Sequence, residues 1–179
     1  KLRGRISALR IKDGMEPDAD MGPVVTETHR QKILGYIEDG VASGAVGGDT
    51  WTFDNATTGF SGLGTMIATP NNNTSFGCTA ATQEANAPRI DFTVDVQTTG
   101  NYFIWTRMRS AGGSDDSVCV GVDGTASGTT ITTGATAYSW SVGTAINVGS
   151  VGNHRFSVYM REDGTSVDAI VISKIGVDV

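Results

Sequence analysis

Alternation of apolar and polar positions is the clearest pattern in the second two-thirds of the chain. Arg89 to Val96 places Ile90, Phe92, Val94 and Val96 on one side and Arg89, Asp91, Thr93 and Asp95 on the other. Side chains alternate across a strand, so this segment predicts a half-buried strand. Asn101 to Arg109 repeats the pattern. Tyr102, Ile104 and Met108 claim a core face, which turns Phe103, Trp105 and Arg107 outward. Ser117 to Asp123 sets Val118, Val120 and Val122 against Cys119, Gly121 and Asp123. Weaker strands are predicted at Trp51 to Phe53, Gly64 to Thr69, near Thr130, and at Tyr138 to Val142 and Ala145 to Val148. Asn153 to Arg161 and Ser166 to Ser173 flank Asp163-Gly164, a strong hairpin signal. Pro70 to Ala87 reads as a long polar loop.

The pattern before Val46 has a different period. Ile33, Leu34, Ile37 and Val41 form a helical stripe, with Thr26 able to cap its start and Gly40 its end. The expected organisation is therefore a mostly helical appendage over 1–46 and a mainly β domain over 47–179. Short strands with frequent turns point to a β-sandwich of jelly-roll type.

Charge sharpens this seam. The first 46 residues hold seven basic and seven acidic residues, leaving six and twelve of the 13 and 19 for the rest. The whole net charge of −6, and all three Trp, thus fall in the β part. That balance argues against nucleic acid, whose phosphates need a basic surface. No apolar run is long enough to span a bilayer, so no membrane insertion is expected. Cys78 and Cys119 allow one disulfide at most, and pairing or two free thiols both remain open. Sequons at Asn55, Asn72 and Asn73 are expected by chance in so Thr-rich a chain.

Two resemblances add to this reading. KLRGRISALRIKDGMEPDADMGPVVTETHRQKILGYIEDGVASGA resembles a fragment of the aldehyde dehydrogenase catalytic domain, of the methylmalonate-semialdehyde type. That family needs a nucleophilic Cys, a general-base Glu and a Rossmann-type cofactor domain. None is visible in this segment, so no dehydrogenase activity is expected. The second resemblance covers about Asp49 to Ser173. TGFSGLGTMIATPN, PRIDFTV, TTGNYFIWTRMR, SDDSVCVGVDG, YSWS and GNHRFSVYMREDGTSVDAIVIS together resemble galactose-binding-like β-sandwiches: carbohydrate-binding modules of families 6 and 35 and the malectin-like kind. It implies a non-catalytic, secreted, extracellular domain that binds a polysaccharide or oligosaccharide. It also implies a structural calcium, for which Asp168 matches the late acidic ligand. The early acidic strand that completes the site is missing, so no cofactor is expected beyond a doubtful calcium.

Sugar recognition needs a flat aromatic for C–H faces and planar polar groups for hydroxyls. Trp105 and Trp140 can supply the first. Arg107, Asp115, Asp116, Arg161, Glu162 and Asp163 can supply the second. The expectation is an outward patch at Trp105 and Arg107, with small Cys119 and Gly121 beside them and the two acidic turns at its rim. Ordinary roles compete: Trp105 as core, Asp115-Asp116 as turn formers, Glu162-Asp163 as a hairpin turn. His29 and His154 have no visible nucleophile partner, and no site predicts catalysis. An alternative function is a structural or assembly subunit, self-associating through an open sheet edge.

Overall fold

The computed structural model describes residues 48–79 and 85–174. They all fall within one compact unit, Gly40–Val179. The predicted helix between Thr26 and Gly40, and the appendage as a whole, lie outside the described residues.

Among the described residues, ten strands build two antiparallel sheets. They are β1 (Thr50–Asp54), β2 (Thr65–Thr69), β3 (Arg89–Val96), β4 (Gly100–Arg109), β5 (Ser117–Val122), β6 (Thr125–Thr132), β7 (Ser139–Val142), β8 (Ile146–Val148), β9 (Gly152–Met160) and β10 (Ser166–Ser173). One sheet runs β1-β2-β10-β4-β7, with β8 also pairing β4; the other runs β3-β9-β5-β6. The architecture is a β-sandwich, mainly β as the alternation predicts.

The core lies between the two sheets, where the inward rows meet. Ile104 and Met108 of β4, Val118 and Val120 of β5, Phe156, Val158 and Met160 of β9, and Trp51 of β1 are all nearly inaccessible. Tyr102 and Phe156, from opposite sheets, meet edge to face with ring centroids 6.0 Å apart, a favoured arrangement for aromatic pairs. The Trp51 Nε1–H donates to the Pro88 carbonyl at 3.2 Å, so its polar end is satisfied.

A smaller apolar cluster sits on the outer face of the β3-β9-β5-β6 sheet. Tyr159, Cys119, Ala87 and Ala126 are buried there, with Phe76 and Cys78 packed against them. Cys78 and Cys119 are joined by a disulfide. The segment after β2 is thus not simply a polar loop: it covers this sheet and is fastened to β5.

The structure corrects one expectation about pairing. β4 and β5 are consecutive but belong to different sheets. Cys119 and Gly121 therefore do not lie beside Trp105. Gly121 serves instead a close approach of β6, since a Cβ on it would sit 2.4 Å from the Thr125 carbonyl oxygen.

Candidate functional site

The predicted site residues fall into two groups. Trp105, Arg107 and Trp140 share the outer face of the larger sheet. Arg107 is registered opposite Trp140 of β7 and Ala169 of β10, and Trp105 opposite Val142 and Val171. Directly opposed residues project to one face. Trp105 does turn away from the core, but it is only 6% exposed, and its Nε1–H finds no partner among the described residues. The expected open platform at Trp105 is therefore absent. Trp140 is half-buried on the edge strand β7, and it offers the more accessible ring of the two.

Arg107 organises this face. Its guanidinium lies 5.3 Å from the Tyr138 ring centroid, a cation–π contact. It donates to the Gly59 carbonyl at 3.2 Å and pairs with Asp168. Gly59 has φ +99°, a conformation that glycine adopts without strain, and it lies beside the Tyr138 ring. The Tyr138 hydroxyl is buried without a hydrogen-bond partner among the described residues. Sequence reading did not single out Tyr138; its place two residues before Trp140, on the same side of an edge strand, was the available signal.

Asp168 sits at a bulge in β10, where the pairing with β4 shifts between Val167 and Ala169. A bulge re-aims a side chain, and here it sends the carboxylate to Arg107. The same carboxylate accepts the Ser61 amide at 2.8 Å and the Ser61 hydroxyl at 2.9 Å. Its side chain is fully buried. A guanidinium and two further donors occupy its oxygens, so these residues do not fit the calcium that the family resemblance implies at Asp168.

The second group gathers where the loop before β5 meets the β9–β10 turn. Glu162 accepts the Ser117 hydroxyl at 2.6 Å and the Asp116 amide at 3.2 Å, and it pairs with Arg161. Arg161 also donates to Ser117 Oγ at 2.7 Å. Burial alone would raise the Glu162 carboxyl, but Ser117, the Asp116 amide and Arg161 together hold it below its ordinary value. Burial first, then the hydrogen bond to and the charge of Glu162, push Asp116 up. Asp115 is buried and accepts Asn71 Nδ2 at 3.0 Å. Asp163 is fully buried, and its Oδ2 accepts the Asn72 and Thr74 amides. Gly164, at φ +74°, turns the chain so tightly that a Cβ would lie 2.4 Å from Asn71 Nδ2. These polar groups mostly satisfy one another, as a structural turn network does.

His154 lies elsewhere. Asp123 closes the far end of β5 from Ser117, and its Oδ2 is 2.6 Å from His154 Nδ1. The Ser150 carbonyl is 3.0 Å from Nε2. The bond to Asp123 raises the imidazole above its ordinary value. A shallow cavity of about 340 Å³ opens beside this pair, between Val122, Ala126 and Val148. It contains none of the predicted ligand residues.

A model described as "Aldehyde dehydrogenase family" matches residues 1–106. The chain belongs to the aldehyde dehydrogenase family. The match ends within β4; β9 and β10, which pair with β3 and β4, lie beyond it. Over 46 residues the chain is 41% identical to malonate-semialdehyde dehydrogenase 1 of Geobacillus kaustophilus (strain HTA426), which is 26% of this chain and 9% of that protein. Over 46 residues it is 44% identical to succinate-semialdehyde dehydrogenase [NADP(+)] 1 of Mycobacterium bovis (strain BCG / Pasteur 1173P2), 26% of this chain and 10% of that protein. The chain thus spans about a tenth of these dehydrogenases' length.

The fold is similar to that of family 35 carbohydrate-binding modules. A module from an environmental isolate superposes with a TM-score of 0.53 at 19% identity, over 74% of this chain and 90% of that one. Xyl-CBM35, solved in complex with a glucuronic acid containing disaccharide, gives 0.51 at 19% identity, over 74% and 88%. At such identities the likeness shows the shared fold.

Proposed function

We propose that the sandwich is a non-catalytic, extracellular carbohydrate-binding module of jelly-roll type, and that it binds sugar on the outer face of its larger sheet. The observation that carries this reading is the row of Trp140, Tyr138 and Arg107 on that face. Trp140 stacks against the apolar side of a sugar ring. The Tyr138 ring carries the Arg107 guanidinium and supports this face, while its own hydroxyl is buried beneath it. Arg107 holds Tyr138 and the Gly59 loop in place. The fold likeness to family 35 modules supports the ligand class, and the disulfide supports an oxidising compartment.

Dehydrogenase chemistry is not part of this reading. The 179 residues hold two cysteines, and both are consumed in the Cys78–Cys119 bridge, which leaves no thiolate among them for the nucleophilic step. A glycan array probed with the protein and with Trp140→Ala tests the proposal. Retention on polysaccharide by the first and not the second is expected. An array with no retained glycan overturns it.

A second reading, self-assembly, has one observation of its own. β1 is an edge strand, Phe53 on it is 54% exposed, and Leu63 in the following loop is 88% exposed. An edge with apolar side chains invites pairing with another chain. Light scattering after size exclusion separates the two: a concentration-dependent mass above the monomer favours assembly.

A further inference from the structure

The cavity beside His154 lies at the other end of β4 from the face given above to sugar. β8, which lines it, pairs with β4 at Tyr102, whereas β7 brings Trp140 to Arg107. Tyr102 and Arg107 are about 17 Å apart along that strand. At about 340 Å³ the cavity stands at the small end of ligand sites, enough for one ring-sized molecule. Val122, Ile146 and Val148 give it apolar walls. Thr125, Ser127, Asn147 and Ser150 add hydroxyls and an amide. Asn147 Nδ2 donates to Asn101 Oδ1 at 3.2 Å, which fixes the amide and leaves Asn147 Oδ1 to accept.

His154 builds one side of the cavity, in the core-facing row of β9 that also holds Phe156 and Val158. Its Nδ1 lies 2.6 Å from Asp123 Oδ2, and its Nε2 lies 3.0 Å from the Ser150 carbonyl oxygen. A carboxylate and a carbonyl can only accept. Both ring nitrogens must therefore donate, and only the imidazolium carries two N–H groups. The charged ring thus ties the loop after β8 to the turn after β5. Asp123 is the charged group that faces it. Val94 is its partner on β3, and β8 and residues 149–151 carry no titratable side chain. Asp95 of β3 and Arg155 of β9 fall on the opposite face; Arg155 pairs there with Asp91, and its amide donates to Asp123 Oδ1 at 2.9 Å. With Asp123 and His154 matched to each other, the lining residues offer hydroxyls, an amide and apolar walls, and no uncommitted charge.

We propose that this cavity is a second ligand site, which takes one neutral polyhydroxylated unit, a sugar ring or an open-chain polyol, and whose wall the charged His154 holds in the binding shape. The hydroxyls of such a ligand both donate and accept, which matches Thr125, Ser127 and the Asn147 amide oxygen, while its C–H groups meet Val122, Ile146 and Val148. An anion finds no spare cation among the lining residues, and a cation finds Asp123 already paired. No Phe, Tyr or Trp lines the cavity, so hydrogen bonds hold the ligand here, in contrast to the stacking at Trp140. Loss of the proton on Nε2 leaves two lone pairs facing each other, on the ring nitrogen and on the Ser150 carbonyl. Ser150 Oγ, 3.3 Å from Nε2, then becomes the donor, and the Ser150 wall moves. The site is therefore complete below the folded imidazole value and is lost as pH rises through it; the bond to Asp123 keeps that value above the ordinary one.

The test is methyl NMR of the whole chain, in the parent and in Trp140→Ala, where the outer face is silent. The methyl groups of Val122, Ile146 and Val148 report the cavity. The probes are D-xylose, xylotriose and sorbitol. At least one gives saturable shifts of these methyls in both proteins, with a roughly millimolar dissociation constant, since few ligand atoms are engaged. Xylose alone marks a free sugar, xylose and xylotriose together mark a chain end, and sorbitol alone marks an open-chain polyol; each supports the site. Thr125→Val and Asn147→Ala lie at exposed positions, so the fold is kept, and each weakens binding about fivefold. Affinity falls as pH rises through the His154 titration, followed on its ring C–H signals in the same samples. Three results overturn the proposal: no saturable shift with any probe, affinity unchanged in both variants, or equal affinity on the two sides of that titration. Because the shifts are read at these methyls and without Trp140, failure here is distinguishable from failure of sugar binding on the outer face.

Discussion

The two most buried indoles differ in one respect, and a pair of conservative substitutions reads that difference. Trp51 and Trp105 are 1% and 6% exposed. Trp51 donates its Nε1–H to Pro88, whereas Trp105 leaves its own unpaired. Replacing either with Phe removes the same ring and leaves a similar void, costing about 1–2 kcal/mol. Trp51→Phe loses in addition a buried hydrogen bond, about 1 kcal/mol. The Pro88 carbonyl is not orphaned, since it keeps the Met160 amide at 2.8 Å. Trp105→Phe instead removes an unsatisfied buried donor, which returns about 1–3 kcal/mol. The expected result is a loss of about 2–3 kcal/mol for Trp51→Phe, and for Trp105→Phe anything from a loss of about 1 kcal/mol to a gain of about 2 kcal/mol. Urea melts with an unchanged m-value measure both. Equal losses would refute the reasoning, because they require a partner on Trp105 Nε1. Trp105→Ala, by contrast, opens a large void and costs about 3–5 kcal/mol, the result expected of a buried ring and not of an exposed platform.

Other expectations follow from the same contacts. Cys78→Ser with Cys119→Ser opens a link spanning 41 residues and lowers stability by about 4 kcal/mol, read as a fall in Tm that reducing agent reproduces in the parent chain. Arg107→Met strands the fully buried Asp168 carboxylate and costs about 3 kcal/mol, the low end for a broken buried pair because Ser61 still donates twice. The His154–Asp123 pair sets a pH window. His154 is raised by Asp123, so its contribution is complete below the unfolded imidazole value and is lost as pH rises through the folded one. Asp123 is lowered: burial opposes this, but His154 and the Arg155 amide outweigh it, so its contribution is lost as pH falls through its folded value. Asp123→Asn should abolish the alkaline limb of a Tm-versus-pH curve, and an unaltered limb counts against the pair.

Alternation made the strands legible and left their partners obscure. It places Ile90, Phe92, Val94 and Val96 of β3, and Tyr102, Ile104 and Met108 of β4, on the core side, where they pack. Asp163-Gly164 marks the β9–β10 turn for a local reason, the left-handed glycine. Pairing is not local. The 110–116 segment carries the chain from one sheet to the other, and nothing in the period of β4 or β5 distinguishes that crossing from a hairpin. The same limit hid the neighbours of Trp105: parity turned it outward, but burial depends on what lies beyond its own strand. Asp168 was visible as an acid, yet its bulge, which aims it at Arg107, breaks the period that made β10 readable. The acidic turns were legible as turns. Their partners are tertiary: Glu162 and Arg161 meet at Ser117, Asp115 accepts from Asn71, and Asp163 Oδ2 accepts the Asn72 and Thr74 amides.

The claim that the outer face of the larger sheet binds sugar is tested most directly by calorimetric titration of one retained oligosaccharide into the parent chain and Trp140→Ala. A dissociation constant of roughly micromolar to millimolar is expected for the parent, since few ligand atoms are engaged. Trp140→Ala should lose the heat of binding while its melt stays close to that of the parent. Undiminished affinity in Trp140→Ala, with its fold intact, contradicts the account.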